Sequence, residues 1–167
     1  PPALLRALCL RQVIKPLTHK PRSSVAAALK RKDAKDEAGV PFVAPATVYL
    51  CYANSCDASE LLTIVDSYAK SLEKAESAYV YIDLLCRNHH EVKPLEELPF
   101  MWWQSTFRAG LKSIGTTCLV LHPWDDPVPL KRSWCHWQLF SALSVENTIA
   151  VQVRARADAP HISPSPR

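Results

Sequence analysis

One stretch of this 167-residue chain concentrates side chains with chemical capacity. Residues 123–138 read PWDDPVPLKRSWCHWQ and crowd three tryptophans (Trp124, Trp134, Trp137), two carboxylates (Asp125, Asp126) and three prolines together. Upstream, Cys86, His89 and His90 follow a strand-like segment and His122 ends another, so metal donors could converge if those ends meet. Their spacing matches no metal-ligand pattern and adjacent histidines rarely face one ion, so no metal is expected. Cys135 beside His136 does not read as a nucleophile and its base, because neighbouring helical positions point in different directions; one is expected buried and the other exposed. Asp125 and Asp126 suit turn hydrogen bonds and a helix N-terminus. Asp83 stands out more, since a carboxylate within an apolar strand is costly unless it is paired or functional.

The elements that must position these groups alternate along the chain. Residues 116–122 (TTCLVLH) form an apolar run without period-two alternation, the pattern of a strand covered on both faces. Residues 47–52 (TVYLCY) and 78–85 (AYVYIDLL) are strand-like, and 148–153 form a weaker strand. Helices are predicted over 57–76, where Leu61, Leu62, Ile64, Val65, Tyr68 and Leu72 recur at helical spacing, and over 132–144. A further helical stripe runs through Phe100, Trp103, Phe107, Leu111 and Ile114, with Gly115 as its C-cap. Strands separated by helices predict an α/β domain of three layers, a parallel sheet with helices on both faces. The tryptophan-rich run then leaves the C-terminal end of a strand and enters a helix, where open α/β sheets place ligands. A tryptophan-rich core corner is the competing reading.

Composition narrows the function classes. The net charge of +4 is uneven: residues 1–32 hold eight Lys or Arg and no acid, leaving twelve bases against sixteen acids, a net of −4, for the rest. A nucleic-acid surface on the folded body is therefore not expected. No apolar stretch approaches the roughly 20 residues of a membrane span. Residues 1–46 read as a basic disordered tail or linker with one short helix around 24–38, residues 47–154 as the domain, and 155–167 as a second tail. The acid-free N-terminus has the composition of an organelle transit peptide as well as of a solvated arm, and the chain opens at Pro1 without a methionine, as a fragment would. Six cysteines without a C-x-x-C pair or secretory signal point to a reduced, cytoplasmic setting. With only Gly39, Gly110 and Gly115, the chain has no glycine-rich phosphate loop.

Taken in order, Asp83, Asn88-His89-His90, the run from Trp102 to Phe107, Ser113-Ile114-Gly115, the run from Leu119 to Pro127 and that from Arg132 to Trp137 resemble a divergent eukaryotic branch of the Toll and interleukin receptor (TIR) superfamily. The resemblance covers about residues 47–153. It implies a flavodoxin-like sheet that self-associates or pairs with other TIR-like domains in intracellular signalling, with no cofactor required. Some TIR domains cleave NAD, using a glutamate from the helix motif W-C-x-x-E near the nicotinamide ribose. Here Trp134 and Cys135 match, and the glutamate position is Gln138; the histidine and tryptophan that relatives favour after the first strand are replaced by Tyr52-Ala53-Asn54. The resemblance thus implies a signalling or interaction module with impaired catalysis. Its pocket would be bordered by Tyr52, Asn54, Asn88, Trp124, Trp134 and Cys135, with NAD as a conceivable ligand. An active NAD glycohydrolase is the alternative and would need Asp83 to take over, because the oxocarbenium-like state of glycosidic cleavage calls for a carboxylate. A structural domain without a pocket is a third reading.

Overall fold

The computed structural model describes residues 13–53, 55–90 and 99–153. Four strands, β1 (Val48–Cys51), β2 (Val80–Tyr81), β3 (Thr116–Leu121) and β4 (Thr148–Val153), form one sheet in the order β2-β1-β3-β4. Every pairing is parallel, with Tyr49 opposite Tyr81 on one side and Thr117 on the other.

The two faces of β1 explain the layering. Val48 and Leu50 point to one side, where Leu61, Ile64 and Tyr68 of helix α2 (Ala58–Lys70) join Ile82, Cys118 and Val120. Tyr49 and Cys51 point to the other, against Leu111 of α4 (Arg108–Ile114) and Cys135 and Ala142 of α5 (Ser133–Leu143). Because both faces are covered, every residue of β1 is buried and the middle four of β3 are too. The domain is thus the expected three-layer α/β, flavodoxin-like fold. Asp57 caps α2 by accepting the Ser59 N–H, and Gly115 closes α4 in the left-handed conformation at φ 84°.

Three details depart from the sequence reading. The strand expected over 78–85 stops at Tyr81, and Asp83 opens a short helix, α3 (Asp83–Cys86). At the sheet edge β2 pairs only with β1, so the chain is released after two residues, and its turn packs Leu84 and Leu85 onto the α2 side of the core. The carboxylate of Asp83 therefore sits in a helical first turn and not inside a strand. In the 100–114 stripe, a π-helical segment, Trp103–Phe107, separates Phe100–Trp102 from α4. A wider turn rotates what precedes it, so Phe107, Leu111 and Ile114 meet the core while Phe100 stays exposed. Finally, residues 13–46, expected as a tail with one short helix, hold that helix as α1 (Val25–Arg31), capped by Ser24, and also contact the body. Thr18 Oγ1 lies 2.8 Å from His90 Nε2, Asn88 donates to the Arg22 carbonyl and Tyr79 to that of Pro41. No helix among the described residues is long and apolar enough to cross a membrane.

Candidate functional site

The C-terminal edge of the sheet carries the candidate site. Beyond β1 the chain turns to α2 on one face, and beyond β3 to α5 on the other. The two central strands thus diverge at the crevice where open α/β sheets bind ligands.

Gln138 lies at the centre of this region, pointing inward from α5 and only 7% exposed. Its Nε2 donates to the Tyr49 hydroxyl at 2.5 Å, and its Oε1 accepts from the Cys51 thiol at 3.3 Å. A neutral amide suits this buried position, since it supplies both a donor and an acceptor without the cost of burying a charge. Tyr49 is stacked on Tyr81 and meets Phe107 edge-on, with ring centroids 5.6 and 5.5 Å away. Burial, then the charges of Cys51 and Asp83, holds the Tyr49 phenol far above its usual titration range. Burial followed by Asp83 pushes Tyr81 up to about 12. Gln138 and Asp83, the two candidate catalytic residues of the sequence, therefore approach a shared tyrosine and act on it differently: one by a hydrogen bond, the other by charge.

The candidate ligand-binding residues divide. Cys135 is buried, its thiol 3.8 Å from the Tyr52 carbonyl, so Tyr52, Cys135 and Gln138 share one neighbourhood. Asn88 instead fastens the N-terminal segment, donating to Arg22 and accepting the His90 N–H. Trp134 stacks on Trp137 at 4.9 Å while remaining half exposed, and Trp124 is exposed. Asn54 lies outside the described residues. Asp125 and Asp126 do not cap α5: the 3-10 turn Val128–Lys131 intervenes, and Asp126 pairs with Lys131. His136 is exposed beside buried Cys135, as helical geometry requires.

The histidines considered as metal donors are engaged separately. His89 Nε2 is 3.0 Å from the Leu84 carbonyl, His90 meets Thr18, and His122 Nε2 is 2.9 Å from Glu60 Oε2. No group of three His, Cys, Asp or Glu among the described residues could hold an ion. The Glu60–His122 pair joins the first turn of α2 to the end of β3 and was not foreseen; neither was the Tyr49–Gln138 bond. Tyr49 had one legible signal, a hydroxyl in a strand predicted to be buried. Glu60, in the first turn of an amphipathic helix, had none beyond its helix-favouring position.

Tyr49→Phe keeps the ring but strips the buried Gln138 amide of its acceptor, so a loss of about 1–3 kcal/mol is expected. Adding Gln138→Leu should return part of it, because two missing polar groups cost less than one orphan. Urea unfolding of both variants measures this.

No protein-family model matches the chain, and no curated protein or solved structure shows significant similarity to it.

Proposed function

We propose that this chain is a TIR-like interaction module, acting by association with itself or with similar domains, in which the position of the catalytic glutamate serves the core. The supporting observation is that both polar ends of Gln138 are taken, by Tyr49 and by Cys51. Buried, and with one donor and one acceptor already engaged, the amide offers little to a ribose, and there is no charge to stabilise an oxocarbenium-like state. Gln138, so held, does not suit the NAD-cleaving role.

The surface best suited to association is the 123–134 stretch. Trp124, Leu130 and Trp134 are exposed there, 54%, 45% and 46% respectively, rimmed by Asp125, the Asp126–Lys131 pair and Arg132. Exposed aromatic and aliphatic anchors within a polar rim are the usual anatomy of a binding patch. Sedimentation of the full chain over a concentration series is expected to show reversible association. Trp124→Ser with Lys131→Glu is expected to weaken it by about tenfold or more. Monomeric wild type at all concentrations would remove self-association, and nicotinamide release from NAD by wild type would favour the enzyme reading.

A further inference from the structure

We propose that Cys51 and Cys135 form a peroxide-oxidisable thiol pair, closing to a disulfide that ties the end of β1 to the first turn of α5. The two residues lie 84 positions apart and belong to different layers, yet the Cys51 thiol is 3.9 Å from the Cys135 carbonyl oxygen, and the Cys135 thiol 3.8 Å from the carbonyl of Tyr52, the neighbour of Cys51. Both are free thiols, fully or almost fully buried. Their surroundings make them unlike. A hydrogen bond from Cys51 lowers Cys135 below the ordinary thiol range, against its burial and with the charge of Arg132 assisting. The same hydrogen bond, reinforced by burial, drives Cys51 far upward. Cys51 has an alternative acceptor in Gln138 Oε1, so its proton lies between two partners. The titratable and charged groups bearing on the pair are Arg132 beside Cys135, and Cys118 of β3 and Tyr49 of β1 beside Cys51.

This asymmetry assigns the roles. The Cys135 thiolate attacks one oxygen of a hydroperoxide, breaking the O–O bond and forming the sulfenic acid as hydroxide leaves. The Cys51 sulfur then attacks that sulfenic sulfur; the S–S bond forms, the S–O bond breaks, and the departing hydroxide takes the Cys51 proton as water. For hydrogen peroxide, two thiols lose two electrons and two protons, and the oxidant is reduced to two waters. Cys86 and Cys118 are spectators. Burial raises Cys118 to about 11 and also raises Cys86, so their thiolate fractions are small.

The test exposes the reduced full chain to hydrogen peroxide under native conditions, alkylates the remaining thiols and maps the peptides by mass spectrometry. A single bridge between Cys51 and Cys135 is expected, forming severalfold faster at pH 8 than at pH 6 because the Cys135 thiolate fraction rises with pH. Cys51→Ser should halt the sequence at a sulfenic acid on Cys135, captured by dimedone, whereas Cys135→Ser should leave Cys51 unoxidised. A bridge between other cysteines, or oxidation of Cys56 while Cys51 and Cys135 stay reduced, would overturn the proposal. The wild-type map alone gives that answer should either variant fail to fold.

Discussion

Leu111→Ala is expected to cost about 2–5 kcal/mol, a large part of the stability of a domain this size. Leu111 is 1% exposed and plugs α4 onto the sheet face that carries Tyr49, Cys51 and Leu119, alongside Cys135 and Ala142 of α5. Its loss leaves a void between α4, α5 and the sheet, which cannot all collapse inward. The Leu111 carbonyl also accepts from Asn147 Nδ2 at 2.6 Å and from the Gly115 N–H at 2.9 Å, and these backbone bonds survive truncation. The effect should therefore be a cavity effect, read as a fall in the urea midpoint with an unchanged slope. A cost under about 1 kcal/mol would mean that α4 is looser on the sheet than its burial indicates.

Gln138→Glu should be at least as severe at neutral pH and much milder in acid. A carboxylate at this position is desolvated, so it loses about 3–5 kcal/mol as an undercompensated buried charge; donation from the Tyr49 hydroxyl and the Cys51 thiol favours the low end. Desolvation raises the folded-state pKa of such a group above its unfolded value. The folded state then binds more protons, so the variant holds its stability below the unfolded pKa and loses it as pH rises through the folded one. Unfolding curves at several pH values measure this, and a variant equally stable in acid and at neutral pH would show that solvent reaches position 138.

Much of the scaffold was legible in single segments. TTCLVLH declared a strand covered on both faces and became β3; Gly115 marked the end of α4; and the amphipathic spacing from Leu61 to Tyr68 gave α2 its inward face. The early end of β2 was not legible, because AYVYIDLL has high strand propensity throughout and only its edge position released it after two residues. The π segment was equally silent, since its phase shift shows only in which aromatics reach the core. For the site, local pattern identified the carriers but not their partners. Gln138 was singled out, but the hydroxyl that fixes it is 89 positions away, and His122 was noted without Glu60, 62 positions earlier in the chain. Such pairs arise only when adjacent strands bring their C-terminal ends together, a tertiary event with no local signature.

The sheet order also has a consequence for how the chain is made. β1 lies at the centre of the sheet, yet the neighbour it meets at Tyr49 opposite Thr117 is synthesised long after β2. At about 5–20 residues per second, several seconds pass during which the apolar VYLC segment has emerged while that flank is still open. During this interval β1 can pair with β2 and pack against α2, but the side that will receive Leu111 and Cys135 stays uncovered. A nascent chain of this topology therefore carries one flank of its central strand open until β3 has been made, the interval in which a chaperone would have most to shield.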